Sequence, residues 1–292
     1  MKALVLGSKG MLGRSVMERL AATGHAPEGR GREDFDVRDL DALAAALDEE
    51  APDALINCAG HTNVDEAEDG PETVMQINAD AVGNMARLCK ERGVKLVHIS
   101  TDYVFDGAKR APYKENDPTR PLNVYGRSKL AYEKLIVRSG PPGFLVFRTS
   151  WLFGPLGRCF PGSLLDRFKN GQREFQIVSD QTGRPTYAPD LAAVMTAALE
   201  KDLAGIYHAC NRGAVSWYGF AEEVFQKSGL SEEVSIRPVS SAEFPAKARR
   251  PSFSVLDTGK LEGALDRNMP DYGDALSRYL QETNARDLSA AL

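Results

Sequence analysis

Residues 2–13 read KALVLGSKGMLG, a short apolar run that passes into a glycine-rich turn, and a helical pattern follows over residues 14–22. Strand, glycine turn and helix in this order are the context of a dinucleotide-binding motif, because the backbone can approach a pyrophosphate and the helix offers it free N–H groups. The spacing Gly-x-x-Gly-x-x-Gly departs from the standard Gly-x-Gly-x-x-Gly, and three glycines can also form a tight packing turn. We favour nucleotide binding. The predicted nucleotide contacts of this turn are Gly7, Gly10, Met11, Leu12 and Gly13.

Strand-like apolar runs and helical patterns then alternate as far as residue 148. This alternation predicts an α/β fold with a doubly wound, Rossmann-like parallel sheet, whose ligands bind beyond the carboxyl ends of the strands. After residue 150 the alternation loosens. We therefore predict a dinucleotide-binding domain over residues 1–150, with a return near 186–210, and a smaller, interleaved C-terminal substrate domain over most of 151–292. The tail from Glu282 is expected to be frayed.

The segment in which the second strand should end is neither apolar nor β-branched, and it contains Arg30 and Arg32. A guanidinium offers two donors to phosphate oxygens, whereas an NAD enzyme usually places an acidic residue against the ribose 2′-hydroxyl. The two arginines therefore favour NADPH, although a solvated basic loop explains them almost as well, and NADH stays open. Asp36 and Val37 follow and are predicted to flank the adenine.

A tyrosine and a lysine stand four residues apart, at Tyr125 and Lys129, where the pattern predicts the start of a helix. Residues i and i+4 share one helical face, so the lysine can reach the surroundings of the phenol. A nearby cation favours the phenolate and makes a tyrosine, with its usual pKa of about 10, a better acid. Tyr-x-x-x-Lys is also a frequent accident, so the meaning of the pair depends on the residues around it.

Ser100 ends a predicted strand, and Thr101, Asp102 and Tyr103 follow it. Alone, these residues could form a turn and a helix cap. Together with the glycine turn and the tyrosine–lysine pair, they resemble the extended short-chain dehydrogenase/reductase superfamily, whose Ser/Thr–Tyr–Lys set catalyses hydride transfer with a nicotinamide cofactor. Longer stretches are similar to the dTDP-4-dehydrorhamnose reductase family. These stretches are NCAGHTNVD (57–65), STDYVFDG (100–107), PLNVYG (121–126), RTSW (148–151), DQTGRPT (180–186) and ARRP (248–251).

The resemblance implies reduction of the C4 ketone of dTDP-4-dehydro-L-rhamnose to dTDP-L-rhamnose by NADPH or NADH. Tyr125 would donate the proton that the carbonyl oxygen acquires. Lys129 would lower the pKa of the phenol and hold the hydroxyls of the nicotinamide ribose, and Thr101 would hydrogen-bond the carbonyl oxygen. Ser100 is the less favoured hydroxyl.

The resemblance also places residues around the substrate and the cofactor. Asp102, Tyr103 and Trp151 match family positions around the deoxysugar and its nucleotide, although a tryptophan after a strand can equally be part of the core. Arg249 could pair with the pyrophosphate, since guanidinium suits phosphate oxygens, but a solvated basic pair with Arg250 is the usual meaning of such residues. The predicted cofactor-lining turn is Gly60, His61 and Thr62.

The composition argues against several other classes of function. A formal net charge of -5 supplies no broad cationic field, so nucleic acid polymers and anionic membranes are not expected as partners. No stretch approaches the roughly 18 uninterrupted apolar residues of a membrane span, and the N-terminal residues lack the pattern of a signal peptide. The four cysteines show no Cys-x-x-Cys pair, which favours a reducing cytoplasm.

Two alternatives to the leading interpretation stay open. A related reductase or epimerase acting on another nucleotide sugar shares the same triad, and the fold with bound NADP also serves as a non-catalytic regulatory subunit of the methionine adenosyltransferase complex. Some family members dimerise through a magnesium site built from glutamates, but this chain carries Arg14-Ser15 and Pro189-Asp190 at those places. No metal is therefore predicted, and a homodimer is left open. Asp190 is instead expected to cap a helix.

Overall fold

The structure, a computed structural model, describes the backbone of residues 1–290 and the side chains of residues 1–283. The elements of the first half are β1 (Lys2–Leu6), α1 (Met11–Ala22), β2 (Ala26–Arg30), α2 (Leu40–Glu50), β3 (Ala54–Asn57), α3 (Glu66–Asp69), α4 (Pro71–Met75), α5 (Ala81–Arg92), β4 (Lys95–Thr101), α6 (Val124–Ser139) and β5 (Leu145–Thr149). Those of the second half are β6 (Leu152–Phe153), α7 (Phe160–Lys169), β7 (Glu174–Val178), β8 (Thr182–Gly183), β9 (Thr186–Tyr187), α8 (Ala188–Glu200), β10 (Gly205–His208), β11 (Val215–Ser216), α9 (Trp217–Lys227), β12 (Ser235–Val239), α10 (Gly259–Leu265) and α11 (Tyr272–Ala290).

In the described part of the chain, six strands form one parallel sheet in the order β10-β5-β4-β3-β1-β2. β3 is buried at all four positions and β5 at all five, as expected for parallel strands covered on both faces. The strand order reverses at β1, because β2 lies on one side of it and β3 on the other. Doubly wound sheets bind ligands at such a switch point, beyond the carboxyl ends of the strands. The predicted fold class is confirmed.

Helices cover both faces of this sheet. Ala3 and Val5 pack toward α1 and α8, whereas Leu4 and Leu6 point to the opposite face and pack against α2 and α5. This alternation follows from the two-residue period of a strand. Burying both faces leaves the loops at the carboxyl edge free to form a site.

The second half of the chain adds a separate aromatic core. This core contains Phe153, Phe175, Tyr187, Phe220, Phe225 and Tyr279. Short strand pairs hold it together: β6 with β9, β8 with β11, and β7 with β12. β10 leaves this region and joins the main sheet beside β5. None of the helices in the described residues is long and apolar enough to cross a membrane.

Several predicted element boundaries are wrong. The first helix begins at Met11, directly after the glycine turn, rather than at Arg14. A single helix was expected over 73–91, but a π-helical segment over Gln76–Asp80 interrupts it. Asp190 caps no helix, because its carboxylate is engaged by Arg278 and Asn211. The expected frayed tail continues α11 as far as Ala290, and residues 291–292 lie outside the described part.

Candidate active site

The glycine turn joins β1 to α1 at the switch point of the sheet. Gly7 has a φ of +70°, a conformation that side chains rarely adopt. A Cβ placed on Gly13 would lie 2.1 Å from the Gly7 carbonyl oxygen, so α1 can approach the turn only with glycine there. The residue before the helix, Gly10, supplies no side-chain cap. The N–H groups of the first turn are therefore available to a bound anion.

The end of β3 forms the opposite lip of this opening. The Asn57 side chain accepts a hydrogen bond from Ala59 N at 3.0 Å. From the π-helical segment, Asn78 accepts from His61 N at 2.9 Å and donates to Ser128 Oγ on α6 at 3.0 Å. The amide of Asn78 thus ties the predicted cofactor-lining turn to the helix that carries the tyrosine and the lysine.

One cavity of about 1000 Å³ begins at the glycine turn. This volume lies at the upper end of the roughly 300–1,000 Å³ range of ligand pockets. The predicted cofactor residues that line the cavity are Gly7, Gly10, Met11, Leu12 and Gly13 at the first turn, Gly60, His61 and Thr62 at the second, and Arg30, Arg32, Asp36 and Val37 at the rim. A dinucleotide fits this site, because the first turn of α1 has free N–H groups, glycine lets α1 approach the turn closely, and the cavity is large enough.

The two arginines at the rim differ in their surroundings. The Arg30 guanidinium is paired with Glu50 on α2, which offsets much of its charge. Arg32 is exposed, and no carboxylate of the described residues lies within ion-pair distance of it. Nearby, Arg38 donates two hydrogen bonds to Asp36 and lowers the pKa of that carboxyl to about 2. Of the two predicted phosphate ligands, Arg32 is the one left available.

Thr101 and Tyr125 meet at the inner end of the cavity. Thr101 is the last residue of β4, and its hydroxyl donates to Asp102 Oδ1 at 3.0 Å. Tyr125 lies in the first turn of α6, which Asn123 caps by accepting from Gly126 N at 2.7 Å. Loss of hydration raises the pKa of the Tyr125 phenol above its usual value, and a hydrogen bond with Thr101 opposes part of this rise. The phenol therefore holds its proton at neutral pH.

Lys129 lies one turn further along α6 and is 5% exposed. Its Nζ donates to the Ile99 carbonyl at 3.1 Å and lies 6.0 Å from the centre of the Tyr125 ring. Burial lowers the pKa of Lys129 to about 8, and the charge of Glu133 opposes this shift. We expected the lysine to lower the pKa of the phenol; in the structure, desolvation outweighs any such effect, and the net shift of Tyr125 is upward.

Behind Lys129, a buried ion pair joins α6 to the sheet. Arg148 on β5 donates to both carboxylate oxygens of Glu133, at 3.0 and 2.6 Å. Ser100 also donates to Glu133, so its hydroxyl is engaged on the α6 side of the sheet. Because the Ser100 hydroxyl is already engaged, Thr101 is the hydroxyl that hydrogen-bonds the Tyr125 phenol.

Three of the residues predicted for the substrate also belong to this site. Asp102, Tyr103 and Trp151 all line the cavity. Burial raises the pKa of Asp102 to about 7, so this carboxyl can hold or release a proton near neutrality. The Tyr103 ring meets Tyr125 edge to face, with 6.1 Å between the ring centres.

Trp151 is held from both sides. Its ring stacks on Trp217, with 3.6 Å between centres and 9° between planes. A Cβ on Gly183 would lie 2.5 Å from the same indole, so the β8 backbone packs closely against it. Trp151 also has a φ of +47°, an uncommon conformation for a side chain of this size. The stack holds the indole rigidly at the edge of the cavity.

Arg249 is the one predicted site residue that does not line the cavity. Its side chain is exposed, and its carbonyl accepts from Asn123 Nδ2 at 2.8 Å. Its neighbour Arg250 is engaged by Asp65, at 3.1 and 2.7 Å. The predicted pairing of Arg249 with a pyrophosphate therefore stays a prediction, since its side chain is exposed and outside the cavity lining.

Sequence reasoning missed several residues that shape the site. Asn78 and Trp217 lay within segments interpreted only as helices. Glu133 could have been found, because it follows Lys129 by one further helical turn. Thr149 belongs to a quoted motif but carried no assigned role.

The fold and the site define a member of the extended short-chain dehydrogenase/reductase class: a doubly wound sheet, a glycine turn at its switch point, and Thr101, Tyr125 and Lys129 at one cavity. A family model described as RmlD substrate binding domain matches residues 1–285. The chain belongs to this family, which includes the dTDP-4-dehydrorhamnose reductases that it resembles.

Individual relatives agree with this assignment. A dTDP-4-dehydrorhamnose reductase of Sinorhizobium fredii is 38% identical, over 86% of this chain and 87% of the relative. A dTDP-4-keto-6-deoxy-D-glucose reductase of Streptomyces niveus is 34% identical, over 87% of both chains. The crystal structure of dTDP-4-dehydrorhamnose reductase from Bacillus anthracis in complex with NADP has a TM-score of 0.92 and 33% identity, covering 97% of this chain and 99% of that one.

Proposed function

We propose that the protein reduces the C4 ketone of dTDP-4-dehydro-L-rhamnose to the alcohol of dTDP-L-rhamnose, using a nicotinamide cofactor. The observation that carries this proposal is the Tyr125 phenol, which holds its proton beside Thr101 in the same cavity as the glycine turn. A ketone reductase needs a group that remains protonated until the carbonyl oxygen becomes basic.

The residues present fit the cofactor. Backbone N–H groups at the start of α1 would hold its pyrophosphate, and Lys129 would hold the hydroxyls of its nicotinamide ribose. When bound, the reduced nicotinamide supplies a hydride to the carbonyl carbon. The chain itself supplies binding, orientation and the proton.

The proton follows a short path on this chain. As the C4 oxygen gains negative charge, Tyr125 transfers its phenolic proton to that oxygen. The Thr101 hydroxyl turns its single proton from Asp102 to donate a hydrogen bond to the same atom. The resulting phenolate is stabilised by the Lys129 ammonium, because opposite charges in a low-dielectric site attract strongly. Tyr125 then recovers a proton from solvent, which completes the balance.

The sugar nucleotide is assigned through the relatives and the cavity wall. Relatives at 34–38% identity are named for the reduction of dTDP-bound 4-keto-6-deoxy sugars. Asp102 offers a carboxyl to sugar hydroxyls, and Trp151 offers an apolar edge. The alternative is another dTDP-4-keto-6-deoxy sugar, favoured by the likeness to the Streptomyces niveus reductase. An intact Thr101, Tyr125 and Lys129 set disfavours a purely regulatory subunit.

The test is an assay with the purified protein. We expect the protein to oxidise NADPH when dTDP-4-dehydro-L-rhamnose is added, and to form dTDP-L-rhamnose. The oxidation is measured as a loss of absorbance of the reduced nicotinamide. The same assay with dTDP-4-keto-6-deoxy-D-glucose distinguishes the alternative. Absence of oxidation with either NADPH or NADH would contradict the proposed function.

We further propose that NADPH is the preferred cofactor and that Arg32 binds its 2′-phosphate. Arg32 is exposed at the cavity rim, whereas Arg30 already pairs with Glu50. Arg32→Ala should raise the Kd of NADPH roughly tenfold, the scale of one charge-assisted hydrogen bond, and leave the Kd of NADH within about twofold. Arg30→Ala is the matched control and should have the smaller effect. Equal losses for both cofactors with Arg32→Ala would refute this assignment.

We also propose the division into domains that the sequence predicts. Residues 1–150, with the return near 186–210 that contains β10, would form the dinucleotide-binding domain. Most of 151–292, with its own aromatic core, would form the substrate domain. Trp151 and Trp217 would bring that domain to the cavity.

A further inference from the structure

Two threonines stand side by side at the carboxyl edge of the sheet. Thr101 of β4 and Thr149 of β5 are directly paired in the parallel register. The preceding pair, Ser100 and Arg148, points to the α6 side, where both residues contact Glu133. Because side chains alternate along a strand, Thr101 and Thr149 share the opposite face, and both line the cavity.

Thr149 differs from its neighbours in its hydrogen bonding. The Thr101 hydroxyl donates to Asp102, and the Ser150 hydroxyl donates to the Arg184 carbonyl at 2.6 Å. Thr149 is 7% exposed, and its Oγ1 has no hydrogen-bond partner among the described residues. Buried hydroxyls are nearly always hydrogen-bonded in folded proteins. A buried hydroxyl that lines a cavity and lacks a partner indicates that a ligand atom completes it.

The position of Thr149 identifies that ligand atom. Neighbouring strands lie about 4.8 Å apart, so a substrate whose C4 oxygen is held by Thr101 brings a neighbouring ring carbon toward Thr149. In a 4-keto-6-deoxy sugar, C4 has two neighbours. C5 carries a methyl group and the ring oxygen, whereas C3 carries a hydroxyl that can both donate and accept a hydrogen bond.

We propose that Thr149 is a specificity-determining residue whose hydroxyl binds the C3 hydroxyl of the sugar, next to the reacting carbonyl. This inference rests on the proposed function. It makes the site selective for α-hydroxy ketones, because a pocket built to hydrogen-bond a hydroxyl discriminates against a ligand that lacks it. It also fixes which side of the sugar ring faces β5.

The test uses equilibrium binding, which needs no turnover. The Kd values of dTDP-L-rhamnose and of its 3-deoxy analogue are measured by calorimetry with the NADP-loaded wild type, Thr149→Val and Thr149→Ser. Valine keeps the shape of threonine without the hydroxyl, and serine keeps the hydroxyl. We expect Thr149→Val to raise the Kd of dTDP-L-rhamnose roughly tenfold and to leave the Kd of the 3-deoxy analogue within about twofold. Thr149→Ser should bind both sugars like the wild type.

A matched control removes a buried hydroxyl elsewhere. Thr196 of α8 is 1% exposed and donates to the Ala192 carbonyl; Thr196→Val should change neither sugar affinity. The other candidate partner of the Thr149 hydroxyl is the carboxamide of the nicotinamide. It is checked by measuring NADP binding to the sugar-free wild type and to Thr149→Val by calorimetry.

The outcomes separate the two levels of the proposal. Equal loss for both sugars with Thr149→Val, an unchanged affinity for dTDP-L-rhamnose, or weakened NADP binding would each overturn the role of Thr149. A wild type that neither binds dTDP-L-rhamnose nor reduces its 4-keto precursor would overturn the proposed function and this inference with it.

Discussion

The two ends of the cavity are built in different ways. The glycine-turn end comes from one continuous stretch, residues 7–13, and is made of backbone that admits no Cβ at Gly13. The inner end is assembled from side chains of separate stretches. The side chains at the inner end are those of Thr101, Tyr125, Thr149, Trp151 and Trp217. The first end is therefore sensitive to added volume, and the second to changed chemistry.

This difference has a physical basis. A pyrophosphate is recognised by N–H groups of the backbone, which every residue carries, so only the path of the chain has to be specified. A ketone that must gain a proton requires one acidic group at one place, with its pKa set by the surroundings. Substitutions at the glycine-turn end should therefore change cofactor affinity and stability, and substitutions at the inner end should change kcat.

The largest effect is expected at the inner end. Tyr125→Phe removes only the phenolic oxygen, so kcat should fall at least about a hundredfold, the scale of lost acid catalysis, while NADPH affinity changes little. Steady-state kinetics with a separate cofactor titration measures both. A variant with near-normal turnover would remove Tyr125 from the mechanism.

At the glycine-turn end, Gly13→Ala should act on binding and stability instead. Its Cβ would lie 2.1 Å from the Gly7 carbonyl oxygen, and overpacking of this kind costs about 2 kcal/mol. Relieving this contact displaces the N–H groups of the turn, so we expect a lower Tm and a rise in the Kd of NADPH of roughly thirtyfold, the scale of one lost hydrogen bond to a charged group. Gly263→Ala on α10 is the control, because a Cβ there meets no atom within 4 Å. Equal behaviour of the two variants would show that the turn tolerates a side chain.

The smallest effect is a pH dependence at the inner end. Burial lowers the pKa of Lys129 to about 8, so its cation is present below that pH and is lost as the pH rises through it. Since the cation stabilises the phenolate, kcat should halve near pH 8 and continue to fall. A profile from pH 6 to about 10, with NADPH saturating, measures this.

Lys129→Arg is the matched variant for that profile, because a guanidinium keeps its charge throughout this range. Its descending limb near pH 8 should disappear, whatever its absolute rate. A limb that persists would assign the titration to another group. Asp102, whose pKa burial raises to about 7, is distinguished by Asp102→Asn, which should leave the limb at pH 8 in place.

The fold and much of the cavity could be predicted from local patterns. The strand–turn–helix order of residues 2–22 and the placement of Lys129 one turn after Tyr125 depend on short-range geometry alone. The π-helical segment around Asn78 could not be predicted, because its pattern of apolar residues is that of an ordinary helix. The upward net shift of the Tyr125 pKa could not be predicted from the sequence, because desolvation depends on atoms distant in sequence.

The sequence by itself determined the parallel sheet through the alternation of strands and helices along the chain. It also determined the glycine turn and the pairing of Tyr125 with Lys129, each of which follows from residues within a few turns of one another. Only the tertiary structure decided that Glu50 pairs with Arg30, that Arg249 is exposed, and that the Thr149 hydroxyl beside Thr101 finds no hydrogen-bond partner within the part of the chain that the structure describes. The reason is that the charge, burial and hydrogen bonding of a side chain are set by whatever packs against it, and in this chain those neighbours come from other elements.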